Sequence, residues 1–226
     1  MKLRLIILML LLFSVTNCTK KKQKVKDEMN LYDIEILNNL FNTNLYKKVS
    51  IKHINDSIQY VIYRNKKYEL QGKLSSKDSE QLDWWKLTDL NTNEKLYEIQ
   101  FHFNGEKNFK NQIKSFQDNK LDTLKSKFFN KNIENKKITY NFYTPITFNF
   151  ENKLIVNFIY AFQDKNLKII TKQNIELKRN NKNYYFFSTD LTKNMKYFTA
   201  VFTEREISKS SNKIGENYFF VKDSVN

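Results

Sequence analysis

Apolar residues change their spacing along the chain, and the change predicts one short helix followed by many strands. Across residues 27–42 the apolar positions recur every three or four residues, the spacing of one helix face. These positions are Leu31, Ile34, Leu37 and Phe41. From Tyr46 onward the period becomes two, which is the alternation of a half-buried strand. The sequence therefore predicts a mainly β fold with one short N-terminal helix that packs on the first sheet.

The strands within residues 29–130 are predicted to form a meander of antiparallel hairpins. Polar turn residues separate the alternating segments at 91–94, 104–105 and 118–120. One segment, residues 68–74, alternates between apolar and polar positions until Gly72 interrupts the pattern. Short polar turns between alternating segments favour strands that pair with their neighbours in the sequence.

The strands after residue 137 are longer and richer in aromatic residues than those before it. Residues 130–137 are nearly all polar and are predicted to be a linker. The strands that follow recur about every ten residues, which is typical of an antiparallel β-sandwich and predicts one over residues 138–226. They are predicted at 138–143, 146–150, 154–162, 167–178, 184–190, 197–207 and 218–222. The strand at 154–162 is nearly continuous in apolar residues, so we expect it to be buried in the middle of a sheet.

The formal net charge of +15 invites an interpretation as a nucleic-acid-binding protein, but the type of basic residue argues against it. Arginine, which grips phosphates through paired hydrogen bonds, is rare. After residue 4 it occurs only as Arg64, Arg179 and Arg205. The joint abundance of Lys, Asn, Ile, Phe and Tyr is typical of an AT-rich genome. We therefore expect no nucleic-acid partner. Attraction to an anionic membrane or polysaccharide surface is the favoured interpretation of the positive charge.

The first seventeen residues are predicted to be a signal peptide. Lys2 and Arg4 precede an unbroken apolar run at residues 5–13, which is far shorter than the ~20 residues that span a bilayer. Cys18 is the only cysteine, so the chain forms no internal disulfide. Residues 18–28 are polar and rich in lysine, and are predicted to be a solvated tether.

The residues before Cys18 resemble a lipobox, the processing signal of bacterial lipoproteins. Val15 stands at its aliphatic position, and the pair Thr16-Asn17 is similar to the relaxed lipoboxes of Bacteroidetes-type bacteria. The resemblance implies diacylglyceryl on the Cys18 sulfur, then cleavage and acylation of the new amine. Two or three acyl chains anchor a protein stably to a bilayer. Thr19 rather than an acid follows the cysteine, which favours the outer membrane and leaves the leaflet open.

Residues 72–129 resemble bacterial hairpin-repeat modules of the MORN type. The matching pieces are Trp84-Trp85-Lys86-Leu87 with the turn at 91–96, and residues 116–122 with the turn Asp118-Asn119-Lys120. That family joins short hairpins with aromatic first strands and turns of this kind in series. The resemblance implies a ribbon of hairpins used for contact rather than for catalysis.

Trp84 and Trp85 are the candidate contact residues. Neighbours on a strand face opposite ways, so one indole should point inward and the other outward, where it could meet a ligand or partner. Asp78, Glu80 and Asp83 precede them. Acids beside indoles suit sugar chemistry, but a charged turn before a core strand has the same composition and is the favoured interpretation.

Other catalytic signatures are missing from the sequence. His53 and His102 have no second ligand at metal spacing, and His102 is expected to point from an outer sheet face towards solvent. The chain has three glycines, too few for a nucleophile elbow or a phosphate-binding loop. Residues 203–206 are expected to form an exposed strand with surface ion pairs. No cofactor or metal is predicted.

These observations favour a membrane-anchored lipoprotein with a non-enzymatic binding or structural role. Its partners are predicted to be the lipid bilayer, through acylated Cys18, and an envelope protein or glycan. Two alternatives stay open. The first is an immunity or antitoxin-like lipoprotein, since hairpin-repeat proteins often accompany toxins. The second is a glycan or lipid hydrolase that uses the acids near Trp84.

Overall fold

The computed structural model describes residues 34–103, 107–145, 153–180, 183–207 and 214–225. In these ranges the chain forms the helix α1 (Ile34–Leu40), a short 3-10 helix (Thr43–Leu45) and the strands β1 (Lys47–Asn55), β2 (Ile58–Arg64), β3 (Tyr68–Ser75), β4 (Gln81–Asp89), β5 (Lys95–Phe103), β6 (Asn108–Gln117), β7 (Lys120–Glu134), β8 (Lys137–Tyr143), β9 (Lys153–Gln163), β10 (Ile169–Ile175), β11 (Tyr184–Asp190), β12 (Tyr197–Ile207) and β13 (Ile214–Ser224). The predicted fold class, mainly β and antiparallel with one short helix, is confirmed.

The strands of the described residues form two antiparallel sheets. The larger sheet has nine strands in the order β1 to β8 and then β11, and the smaller has the order β10-β9-β12-β13. Sequence neighbours pair through β8, as the predicted meander requires. Asp118 and Asn119 join β6 to β7 with φ angles of 51° and 59°, the left-handed pair of a tight hairpin turn. The predicted turn at 104–105 lies outside the described residues.

The predicted linker at 130–137 is wrong. Strand β7 continues to Glu134, which pairs with Lys137 at the start of β8. Asn135 and Lys136 make the turn between them with φ angles of 51° and 61°. Glycine is the residue that usually indicates such a turn, and lysine is uncommon in this left-handed conformation. The sequence therefore gives no clear signal for the hairpin. One continuous sheet therefore passes through the predicted boundary between the two modules.

The first core lies where α1 covers the early strands. Leu37 and Phe41 are buried there with Trp85, whereas Ile34 is 56% exposed. The helical stripe predicted from the sequence is therefore correct at its C-terminal end. The residues before Ile34, including Leu31, lie outside the described residues.

The second core lies between the small sheet and the β7, β8 and β11 end of the large one. Aromatic rings from the two sheets meet there, with ring centroids 4.9 Å apart for Tyr140 and Phe198 and 5.0 Å apart for Phe142 and Phe202. This face-to-face packing is that of a β-sandwich. The predicted strand at 154–162 is internal to the small sheet as β9, but only one of its faces is buried. Ile159 on the other face is 40% exposed.

Candidate functional site

The two tryptophans point in opposite directions, as neighbours on a strand should. Trp85 is fully buried, and its Nε1–H donates a hydrogen bond to the backbone oxygen of Lys73 at 3.0 Å. Trp84 is half-buried, and the Nζ of Lys114 lies 4.5 Å from its ring centroid. Trp85 is therefore a core residue, which corrects its proposed role as a contact. Trp84 alone keeps a face towards the outside.

The acids near Trp84 do not converge. Asp78, Glu80 and Asp83 are all exposed. Hydrogen bonds from Ser75 and from the Glu80 N–H lower the pKa of Asp78. The carboxylate of Glu80 instead accepts a hydrogen bond from Asn108 at 2.8 Å, and Asp83 pairs with Lys73 at 2.8 Å. These separate partners give no arrangement of two carboxylates about one ligand, so the acids form a charged surface rather than a catalytic pair.

The prediction that His102 faces solvent is wrong. It lies half-buried, with its ring centroid 5.5 Å from that of Phe220 and 5.5 Å from that of Phe109. Desolvation in this position, helped by the positive charge of Lys222, lowers the pKa of His102. The ring is therefore largely neutral at neutral pH, where it acts as an aromatic surface with one polar edge. His53 is exposed on β1.

His102 and Phe103 form one wall of a groove of about 550 Å³ on the outer face of the small sheet. Leu167, in the turn before β10, and Ile169, at the start of β10, lie on the opposite side. Phe103 is 52% exposed, which is unusual for a residue of this size at the end of a strand. The groove brings together the C-terminal end of β5 and one end of the small sheet, which are distant in the sequence.

Two rows of neighbouring side chains make the floor of the groove. The first row crosses the sheet as Lys172, Ala161, Thr199 and Lys222, and the second as Ile159, Val201 and Phe220. Short or aliphatic side chains therefore fill the middle, and an ammonium group stands at each end of one row. Such a surface can bury an apolar group while the lysines contact polar or anionic groups at its edges.

The wall of the groove is held in place by a buried asparagine. Asn111 on β6 donates its Nδ2–H to the Phe220 carbonyl at 2.8 Å, and its Oδ1 accepts the Phe220 N–H at 2.8 Å. The side-chain amide thus replaces the neighbouring strand that β13 lacks at this point. A buried amide without hydrogen-bond partners costs free energy, so both bonds favour this arrangement. The two hydrogen bonds between Asn111 and Phe220 therefore fix β6 against β13 and orient the groove wall.

No known family model and no curated protein matches the chain. The hairpin-repeat resemblance therefore stays a prediction from the sequence. In the ranges that the structure describes, no helix is both long and apolar enough to cross a bilayer, and no group of three or more His, Cys, Asp or Glu residues could hold a metal ion. Cys18, the signal peptide, the tether at 18–28 and the predicted strand at 146–150 lie outside the described residues.

Lys127 reaches the same junction between the two sheets from β7. It is buried, and its Nζ donates to the carbonyl oxygens of Lys110 at 3.0 Å and Tyr218 at 3.4 Å. The Nζ also lies 5.2 Å from the ring centroid of Tyr218. Desolvation, followed by the positive charge of Lys110, lowers the pKa of Lys127 to about 8. This lysine was not singled out from the sequence, because nothing local distinguishes it from the other lysines.

The buried position of Lys127 predicts an alkaline rise in its contribution to stability. A lysine in the unfolded chain keeps a pKa near 10.5, so between about pH 8 and that value the unfolded chain binds more protons than the folded one. The free energy of unfolding of the native protein, relative to that of Lys127→Met, should therefore increase with pH across this window. Urea unfolding of both proteins from about pH 7 to about pH 10 measures the difference. Lys125→Met, at an exposed neighbour, should show no such trend.

The predicted exposed strand at 203–206 is half buried. Glu204 is 5% exposed and pairs with Arg179 at 2.9 Å, while Arg205 points outward and pairs with Glu216 at 2.7 Å. The prediction of surface ion pairs is therefore correct for Arg205 and wrong for Glu204. Alternation along a strand places these neighbours on opposite faces, and the inward acid has a partner from a distant segment.

Proposed function

We propose that this protein is a lipid-anchored envelope protein whose groove binds an apolar segment of a partner protein. The observation that carries the proposal is the concave groove whose apolar floor and wall leave Ile159 40% and Phe103 52% exposed, next to each other in space. Contiguous exposed apolar surface of this kind is typical of interaction sites.

The lining of the groove favours a protein segment over a glycan. A glycan needs several hydrogen-bonding side chains around an aromatic platform, whereas the middle of the floor here is formed by Ile159, Ala161 and Val201, with Thr199 as the one hydroxyl beside them. An extended or helical segment with apolar anchors can fill such a floor while its polar backbone stays at the rim. Lys172 and Lys222 at the two ends of one row favour a segment with acidic residues beside its apolar anchors.

The anchor belongs to the same proposal and rests on the sequence. The lipobox before Cys18 supports acylation of that cysteine, and the lysine-rich residues 18–28 suit a tether beside anionic head groups. An anchored binding protein searches a nearly two-dimensional space, which raises the effective concentration of envelope partners. The groove can therefore serve a partner of modest affinity.

Site-specific photocrosslinking in the native host tests the groove. We expect benzoylphenylalanine in place of Phe103 to give a discrete covalent adduct with an envelope protein, because this side chain stands at the edge of the groove. Phe186, which is 50% exposed on β11, is the matched control and should give no adduct of the same mass. A third probe at Trp84 distinguishes the groove from the contact suggested by the sequence.

Substitution of the floor decides whether the adduct reports the groove. Ile159→Asp should weaken the captured interaction at least about tenfold, since it places a carboxylate in the apolar contact. Equal adducts at Phe103 and Phe186, or an adduct unchanged by Ile159→Asp, would exclude the groove as the binding site. Cys18→Ser should abolish acylation, measured by mass spectrometry, and should release the protein from the membrane fraction. Retained acylation would exclude Cys18 as the anchor and would leave the groove proposal untouched.

A further inference from the structure

A second concave surface lies at the turn between β9 and β10, beside the groove but with different chemistry. It encloses about 590 Å³, and four lysines line it: Lys165, Lys168, Lys193 and Lys196. An adjoining hollow of about 640 Å³ shares Lys193 and Lys196 and adds Lys136. Three aliphatic side chains are exposed at this turn and at the start of β10: Leu167, Ile169 and Ile170 are 62%, 54% and 42% exposed. We call this surface, formed by residues 164–170 and 192–196, the lysine-ringed tip.

Asp164 offsets only part of the positive charge of the tip. Among the described residues that line the first hollow, Asp164 carries the one carboxylate. Its Oδ1 accepts hydrogen bonds from the backbone N–H groups of Asn166 at 2.8 Å and Lys168 at 2.9 Å. This oxygen therefore organises the turn, and a single carboxylate beside Lys165, Lys168 and Lys193 leaves the tip positively charged.

Leu167 is a costly residue for its position. Its φ angle is 64°, in the left-handed region that glycine and asparagine occupy far more readily than leucine. A large aliphatic side chain that is both strained and mostly exposed gives the folded protein little stability in return. A residue of this kind at an exposed turn indicates a role in contact with something outside the protein.

We infer that the lysine-ringed tip docks on an anionic lipid surface, with Leu167, Ile169 and Ile170 inserted among the lipids and the lysines around the phosphate groups. Aliphatic side chains bordered by ammonium groups match the depth profile of a bilayer, where the anionic head groups lie outside the acyl chains. A soluble anion would satisfy the lysines but leave the aliphatic side chains in water. Leu167 and Ile169 also border the groove, but the inference does not need the groove's protein partner.

The experiment places a fluorophore at the tip of the full, acylated protein reconstituted into vesicles. Asn166→Cys introduces the label, and Asn91→Cys is the matched control, because both residues donate a backbone N–H at 2.8 Å to an aspartate two residues earlier in a turn. Cys18 is the only native cysteine, so mass spectrometry should find one label per chain; two labels would contradict the anchor and not the tip.

We expect the label at 166 to shift to a blue emission, and to be quenched by brominated acyl chains, in phosphatidylcholine vesicles that contain phosphatidylglycerol. The label at 91 should do neither. Lys165→Gln with Lys168→Gln should lower the ratio of inserted to free tip roughly 30-fold, whereas the same change at the exposed Lys52 and Lys66 should not. Leu167→Asn should reduce insertion while leaving the melting temperature unchanged or higher, since asparagine tolerates this φ.

Two results with vesicles would overturn the inference. One is identical emission at positions 166 and 91 in anionic vesicles, which would mean that the tip stays in water. The other is equal insertion into vesicles of phosphatidylcholine alone, which would mean that the lysines do not recognise the lipid charge. If instead an acidic soluble protein protects the label at 166 and anionic lipid does not, the tip is a protein contact and the lipid assignment is wrong.

Discussion

Replacing Gly72 with alanine should lower the free energy of unfolding by about 3 kcal/mol, the upper part of the range for overpacking a closed core. A Cβ added at Gly72 would lie 2.4 Å from Cδ2 and 2.5 Å from Cε2 of Trp85. These are far below van der Waals contact, and the ring has little room to retreat because it is fully buried and hydrogen-bonded to Lys73. Glycine is therefore required at position 72 because a side chain there would collide with the Trp85 ring.

The conflict arises from a local irregularity between β3 and β4. Gln71 pairs with Lys86 but Lys73 pairs with Leu82. Three residues of β4 therefore lie opposite one residue of β3. Asp83 within this bulge has a φ angle of 56°. A bulge of this kind re-aims the side chains that follow it, and here it accompanies the placement of the Trp85 indole over the Gly72 backbone.

Urea unfolding of Gly72→Ala and Gly215→Ala measures the effect. Gly215 lies on an exposed part of β13, and the nearest atom to its added Cβ is the Glu206 Cβ at 3.8 Å, so its substitution should change stability by less than about 0.5 kcal/mol. In a Trp85→Leu background, Gly72→Ala should cost markedly less, since the smaller side chain leaves room for the methyl group. Equal costs for Gly72→Ala in both backgrounds would show that the indole is not the obstacle.

Periodicity and turn chemistry predicted most of the strands, and the exceptions have a common cause. The alternation at 68–74 was interrupted at Gly72, yet the strand continues because the glycine accommodates a ring from thirteen residues later. The hairpin at Asn135-Lys136 lies in residues 130–137, which predict a linker because they are nearly all polar, and its turn contains no glycine to indicate a hairpin. In both places a tertiary contact or an uncommon turn residue overrides the local signal, which a single sequence does not display.

The candidate site was less predictable than the fold for a similar reason. The apolar run at 154–162 is predicted to be a buried central strand, whereas its second face, with Ile159 and Ala161, is the floor of the groove. Alternation assigns side chains to faces but does not say which outer faces meet. The wall from His102 depends on Asn111 and Phe220, which are 109 residues apart. The opposite orientations of Trp84 and Trp85, by contrast, follow from strand geometry alone.

Replacing Arg179 with methionine should destabilise the protein by about 3–5 kcal/mol, because it strands a buried carboxylate. Arg179 and Glu204 are 12% and 5% exposed and lie 2.9 Å apart. The Glu204 carboxylate also accepts hydrogen bonds from the Tyr185 hydroxyl at 2.6 Å and from Asn217 at 3.1 Å. Those neutral donors remain in the variant but do not compensate a full negative charge away from water.

The next residue after Glu204 provides the control for this prediction. Arg205 pairs with Glu216 at 2.7 Å, but both side chains are exposed, so Arg205→Met should change the free energy of unfolding by less than about 1 kcal/mol. The double variant Arg179→Met, Glu204→Met should be more stable than Arg179→Met alone, because it removes the isolated charge along with its partner. Urea unfolding at neutral pH measures all three variants. Similar losses for Arg179→Met and Arg205→Met would mean that water reaches Glu204, and that hydration rather than the guanidinium stabilises its charge.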